Sequence, residues 1–220
     1  MNESETRPCI RTTKIVDESD RGQATKLLHE IYVQEKGWLI NSNDSFQKDE
    51  LLKKGVVWFL TSVNEQPAGI LRICYDPDIK DYSHYQFRQL PDQISVEAII
   101  QQYKVADIGR FAVAKSFRKK PEVALELMLA ALAETLSRQY THFITDVFEG
   151  EETSPYLFHK RILGFVPIAT HETGELLCSK SRVTMLLDIH KCLNTLKNKK
   201  GYIYRAILKK FNASDLKSLV

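Results

Sequence analysis

The chain predicts an α+β fold, a mixed and mainly antiparallel sheet flanked by helices, with a C-terminal helical tail. Two observations lead there. The β-rich runs Gly55 to Val63 and Ala68 to Tyr75 are separated only by Asn64-Glu65-Gln66-Pro67, which reads as an antiparallel hairpin. Further on, a strand from Ala106 to Ala114, a helix from Pro121 to Arg138 and a strand from His142 to Phe148 make a strand, helix, strand unit.

The remaining elements follow from punctuation and spacing. Residues 1 to 9 read as a frayed start, and Arg11 to Val16 as a first strand. From Glu18 to Lys36 the apolar residues Ala24, Leu27, Leu28, Ile31 and Tyr32 recur at helical spacing, and Gly37 ends the helix. The polar and aromatic passage Asp76 to Gln102 contains Pro77 and Pro91 and reads as an insertion with a short helix at Ser95 to Gln102. After the strand, helix, strand unit, Ser154 to Leu163 reads as a helix stopped by Gly164, and Phe165 to Thr170 and Arg182 to Leu187 as strands. The expected division is one domain over residues 1–188 and a basic helical tail over 189–220, packed on the domain or extending from it.

Composition narrows the function classes. The net charge of +3, from 31 basic and 28 acidic residues, gives no global field for nucleic acid. Cys9, Cys74, Cys178 and Cys192 lie far apart without metal-ligand spacing, which argues against a bound metal and for reduced thiols in a cytoplasm. No run is apolar enough for a transmembrane segment, and none resembles a secretion signal. His142 and His171 stand in no partner pattern, and Asp146 and Glu149 are alternative acids on the strand from His142.

The stretch of most chemical interest runs from Ala106 to Glu134. There an apolar strand with an embedded arginine breaks into Phe117-Arg118-Lys119-Lys120-Pro121 and then a long helix. Free N–H groups at a helix start and side-chain cations just before it both attract anions, so this turn reads as a site for a phosphate-bearing ligand. A bare solvated Arg-Lys-Lys turn is the alternative.

Several segments in this order resemble the GNAT acyltransferase superfamily, from about Arg11 to Leu187. They are Phe111-Ala112-Val113 leading to Phe117-Arg118, the long helix after that turn, the strand from His142, and Phe158-His159-Lys160-Arg161-Ile162-Leu163-Gly164-Phe165 with its Gly-Phe step. Tyr32-Val33, Trp38, Asp49, Gly69-Ile70-Leu71-Arg72 and the acid Asp107 three before Arg110-Phe111 resemble the branch of N-acyl amino acid synthases and acyl-homoserine lactone synthases. Asp107 stands where that branch commonly has glutamate, and Gly109 where it commonly has a hydroxyl residue.

The resemblance implies an N-acyltransferase that moves a fatty acyl group from an acyl-phosphopantetheine thioester, on acyl carrier protein or coenzyme A, to the amine of an amino acid or peptide. The family turn, Arg/Gln-x-x-Gly-x-Gly/Ala, holds Arg118, Pro121 and Val123 here. Pro121 has no N–H to offer a pyrophosphate, whereas Arg118, Lys119 and Lys120 suit a single phosphodiester, so acyl carrier protein is the favoured partner. An acetyl-CoA-dependent acetyltransferase and a non-catalytic acyl-thioester-binding module are the alternatives.

Amide formation from a thioester needs a deprotonated amine, a place for the developing oxyanion and a proton for the thiolate. A bulge near Arg110 would turn the backbone N–H groups of Phe111, Ala112 and Val113 toward the acyl carbonyl. Asp107 is the candidate base or acceptor-orienting carboxylate, and Arg110 binds an acceptor carboxylate or holds Asp107; on a regular strand the two would face opposite ways. By family analogy Tyr156 or His159 protonates the thiolate. Arg72, in an otherwise apolar strand, needs a partner such as Asp49 or Asp107. Trp38, with Trp58 and Phe59, reads as core or as wall of an acyl pocket. The amphipathic tail packs on the domain, or docks an acidic carrier protein, a peptide or a membrane surface.

Overall fold

The computed structural model describes residues 8–39, 51, 53–82 and 84–211. The chain folds as two compact units, Met1–Arg72 with Arg110–Ala131, and Ile73–Gly109 with Leu132–Val220.

In the first unit, β1 (Ile10–Lys14) pairs antiparallel with β2 (Val56–Val63), Ile10 opposite Val63 and Lys14 opposite Phe59. Helix α1 (Glu18–Leu28) begins at Asp17, whose carboxylate accepts the Asp20 N–H at 2.8 Å. Ala24, Leu27 and Leu28 form its buried side. The expected helix covers its stretch but changes type: His29–Glu35 is π-helical, with Ile31 and Tyr32 still buried. The Lys36 N–H reaches back to the Ile31 carbonyl at 3.0 Å, and Gly37 follows at φ +60°.

Strand β3 (Gln66–Tyr75) returns from β2 through Asn64 and Glu65, at φ +48° and +67°. Two successive left-handed residues are what a type I′ turn requires, because that turn matches the right-handed twist of the strands it joins. Gly69 fits a crowded position. A Cβ there would lie 2.9 Å from Leu127 Cδ1, 3.0 Å from Val123 Cγ1 and 3.2 Å from the Ala112 carbonyl oxygen. Its bare backbone therefore lets helix α3 (Pro121–Ser137) lie close against β3. Val63, Ala68 and Val123 are the buried centre of this packing, joined by Ile10, Val113 and Phe117.

In the second unit, a 3₁₀ turn (Ile79–Tyr82), a two-residue strand β4 (Arg88–Gln89) and α2 (Val96–Gln102) make up the expected insertion. Ser95 Oγ caps α2 by accepting the Ala98 N–H at 3.2 Å. Strand β5 (Val105–Val113) runs parallel to β6 (His142–Phe148), from Val105 opposite His142 to Ile108 opposite Thr145. Strand β8 (Arg182–Asp188) pairs antiparallel with β6 along its whole length, and with β7 (Val166–His171) through an irregularity between Pro167 and Ala169. Short β4 lies antiparallel on β7. The eight-stranded order is β1-β2-β3-β5-β6-β8-β7-β4, mainly antiparallel, as the sequence leads one to expect.

Val96 and Ile99 of α2 pack on Val105, Ile144, Ile168 and Ala169. That apolar row covers one end of a sheet face, and the residues two further along the same strands are left for other work. Between β6 and β7, the one-turn helix α4 (Tyr156–Phe158) opens into π-helical His159–Leu163 and stops at Gly164, φ +85°. Helix α5 (Ile189–Lys199) is capped by Asp188 and buries Ile189, Cys192, Leu193 and Leu196; α6 (Tyr202–Lys210) buries Ile207 and exposes Tyr202 and Leu208.

Candidate active site

The chemistry-bearing strand is β5, and its two halves have different neighbours. Pairing with β6 is recorded through Ile108, whose carbonyl also accepts the Thr145 hydroxyl at 2.8 Å. Two residues later Arg110 sits at φ +50°, a left-handed conformation that non-glycine residues adopt rarely. The Ala114 N–H then meets the Ala68 carbonyl at 2.9 Å. A left-handed residue inside a strand resets the alternation of side chains, which is the distortion expected between Asp107 and Arg110.

Asp107 lies in the second unit. Its Oδ2 accepts a hydrogen bond from the Tyr82 hydroxyl at 2.7 Å. Burial, followed by the charge of Asp107, pushes the Tyr82 hydroxyl well above the usual phenol range, so Tyr82 remains a proton donor to the carboxylate at any physiological pH. Sequence reasoning missed Tyr82 because it sits in an aromatic passage without periodicity. Its edge meets Tyr85 at 5.3 Å and its ring also contacts Phe87 at 6.0 Å, which fixes the hydroxyl in place.

Arg110, in the first unit, is half-buried with its guanidinium 5.5 Å from the centre of the Tyr32 ring, a cation–π distance. Phe111, Ala112 and Val113 continue the strand, all half-buried.

The basic turn has an internal structure that the sequence did not reveal. Arg118 donates from Nε to the Val113 carbonyl at 3.1 Å and places its fork on Glu35, at 2.6 and 2.7 Å. This bidentate geometry is the strongest a guanidinium makes with a carboxylate. It holds the Glu35 carboxyl below its usual range, chiefly through the Arg118 hydrogen bond, and it clips the end of the first helix to the end of β5. Lys119 is exposed, and the Lys120 ammonium lies 5.7 Å from the Phe117 ring centre. Pro121 is the first residue of α3, as expected.

Tyr156 and His159 fall at the α4 turn with contrasting surroundings. Tyr156 is half-buried, and the Lys160 ammonium approaches its hydroxyl at 3.4 Å. His159 is only 7% exposed and stacks on Phe165 at 4.7 Å. Its Nδ1 has no hydrogen-bond partner, and burial lowers its pKa to about 4. A neutral, enclosed imidazole holds no spare proton at neutral pH, so of the two Tyr156 is the better placed to donate one.

Arg72 is buried in β3, 8% exposed. Trp38 is half-buried, 6.0 Å from Tyr32 by ring centres, with the Lys36 ammonium at 5.3 Å. Asp49 lies outside the described residues. Among the described residues no group of three or more His, Cys, Asp and Glu side chains is arranged to hold a metal ion, and no helix is long and apolar enough to cross a membrane.

Comparison with known proteins gives this geometry a family. Among solved structures, the chain is similar to FeeM, an N-acyl amino acid synthase from uncultured soil microbes, at 16% identity and a TM-score of 0.66, over 89% of this chain and 99% of that one. It is also similar to BjaI, a CoA-dependent acyl-homoserine lactone synthase solved with SAM and isopentyl-CoA, at 18% identity and a TM-score of 0.59, over 88% and 89%. A third similar structure is aminoglycoside 6'-N-acetyltransferase from Enterococcus faecium, at 12% identity and a TM-score of 0.54, over 81% and 97%. These likenesses establish the GNAT-like fold. No curated protein matches the chain. Residues 23–188 match the family of N-acyl amino acid synthase FeeM, so the chain belongs to that family and is an N-acyltransferase.

Proposed function

We propose that this N-acyltransferase takes a fatty acyl group from the phosphopantetheine thioester of an acyl carrier protein and transfers it to the amine of an amino acid or peptide, by direct attack in a ternary complex. The observation that carries the choice of donor is the turn before α3. Pro121 removes a backbone donor from the place where a pyrophosphate would sit, and Arg118 is committed to Glu35 and Val113. Lys119 and Lys120 remain for a single phosphodiester. Arg118 thus acts as a strut for the turn more than as a phosphate ligand, a revision of the sequence reading.

The reaction needs four things of the protein. The N–H groups of Phe111, Ala112 and Val113, after the left-handed Arg110, receive the pantetheine arm and the developing oxyanion. Asp107, held by Tyr82, attracts the acceptor ammonium; a carboxylate already accepting a hydrogen bond is a better orienting charge than a base. Arg110 supplies the positive charge for an acceptor carboxylate. Once the amine is neutral, its nitrogen attacks the carbonyl carbon, the C–N bond forms and the C–S bond breaks; Tyr156 gives its hydroxyl proton to the departing thiolate, and the proton that the nitrogen sheds as the amide forms replaces it. Trp38 serves as a wall residue for the acyl chain, and Arg72 as a substrate-binding charge. The four free cysteines support a reducing, cytoplasmic setting.

The test is a comparison of kcat/KM for one acyl chain carried on acyl carrier protein and on coenzyme A. We expect the carrier protein to be favoured at least tenfold, and the Lys119→Glu, Lys120→Glu double variant to lose that preference mainly through KM. Equal or better use of acyl-CoA, the kind of donor named for BjaI, would overturn the donor assignment.

A further inference from the structure

A polar row crosses the sheet face of the second unit just beyond the apolar row under α2. Asp107 of β5 lies opposite Ile144 of β6, and Asp146 is two residues further on the same face of β6. Thr184 of β8 is the cross-strand partner of Asp146 and donates its hydroxyl to Asp146 Oδ1 at 2.6 Å. His171 of β7 completes the row, with Nε2 at 3.2 Å from the same Oδ1. β6 is otherwise buried or half-buried, yet Asp146 is exposed. The Asp146 side chain keeps 29% of its surface accessible in the middle of a central strand, backed by a fully enclosed imidazole.

The protons of the pair can be counted. His171 Nδ1 lies 2.6 Å from the carbonyl oxygen of Thr173, which only accepts, so Nδ1 carries a hydrogen. The neutral tautomer then presents a lone pair at Nε2 toward Asp146 Oδ1, at ion-pair distance but not aligned as a hydrogen bond. Two acceptors face each other, and a single proton would join them. The ring cannot turn away, because it stacks on Tyr85 at 4.7 Å and 16° and meets the edge of Phe87 at 5.2 Å. The charged and titratable surroundings come from every packed element. Tyr82 of the 3₁₀ turn senses Asp107, Asp146 and Cys74; Tyr85 covers the ring; Glu172 and Arg88 pair outside it; and Arg182 is the cross-strand partner of His171.

We propose that Asp146 and His171 are the proton-accepting pair that converts the acceptor's ammonium to the attacking amine. This rests on the amine-acylation reading above. The ammonium, drawn by the carboxylates, gives one proton to the Asp146 carboxylate, which then hands that proton on to His171 Nε2. The amine is then neutral and Asp146 is again a carboxylate. His171 is left as an imidazolium flanked by Thr173 O and Asp146, and it returns the proton to solvent after product leaves. Asp107 keeps its orienting role, and the two carboxylates divide the work that sequence reasoning assigned to one.

The experiment uses the full chain and two nucleophiles: an equimolar mixture of amino acids, whose amines are mostly ammonium at neutral pH, and hydroxylamine, which is mostly neutral. Asp146→Asn and His171→Gln are expected to lose roughly 10²–10⁴-fold in kcat/KM with amino acids and to stay within about threefold of wild type with hydroxylamine. With amino acids their rate should climb about tenfold per pH unit, while wild type reaches its plateau earlier. Variants that keep the amino-acid rate would overturn the pair's role. Equal losses with both nucleophiles would also overturn it, by showing a structural role instead. A wild-type enzyme that acylates neither nucleophile would count against amine acylation itself, a separate failure.

Discussion

His159 illustrates how burial decides a residue's chemistry. Its place before the Gly-Phe step made it a candidate acid in the sequence, but the π-helical turn carries the ring inward onto Phe165. With a folded pKa of about 4, against about 6.5 in the unfolded chain, the unfolded state binds one more proton between those values. Stability therefore rises with pH across that window and is lost as pH falls from 6.5 toward 4. The total is about 3 kcal/mol, at 1.36 kcal/mol per pH unit. His159→Phe should flatten this dependence while keeping the stacking. Chemical denaturation of both proteins at several pH values between 4 and 7 checks it, and an unchanged slope in the variant would show that the ring is not the titrating group. Tyr82 and Glu35 mark the opposite limit of legibility: each is a common residue in an unremarked stretch, made important only by a partner 25 or 83 residues away.

At the level of elements, the clip between the first helix and the α3 turn is the feature that sequence spacing could not supply. The run of basic residues and the helix start were both legible, since Pro121 and the cations lie side by side in the chain. That Arg118 faces Glu35 depends on how the π-helical segment His29–Glu35 presents its last residue. Removing the acid tests the clip. Glu35→Gln should cost about 0.5–1 kcal/mol at neutral pH, a shift of about 2 °C in melting temperature, because both side chains are roughly a quarter exposed and screened. The Glu35 carboxyl is depressed in the folded state, so its contribution is present above pH 4.5 and lost as pH falls through the lower folded value. The two melting temperatures should converge in acid, and a gap that persists there would refute the clip. The left-handed Arg110 in β5 bears on a related expectation: Asp107 and Arg110 could share a face only if the alternation broke between them. The two-residue β4 and the four-residue 3₁₀ turn carry no periodic signal and were not legible.

For the whole molecule, the order of elements was the most legible property. A hairpin of buried strands, a crossover through a long helix and a Gly-stopped helix before the next strand are each weak signals, and their succession specifies the sheet that the structure contains. The family follows from the same succession together with the match over residues 23–188. The acceptor was less legible, because the residues proposed to meet it, Asp107, Asp146 and His171, come from three strands and share a row only through strand register. Chemistry on an amine by a family of N-acyl amino acid synthases leaves one product class to find. The most direct measurement is therefore mass spectrometry of the purified protein incubated with acyl carrier protein bearing short to long chains, with matched acyl-CoAs alongside, and the amino-acid mixture as acceptor. The expected result is loss of a long acyl group from the carrier protein with one new N-acyl amino acid of matching mass. Turnover confined to acetyl-CoA, or thioester binding with no amide formed, would contradict it.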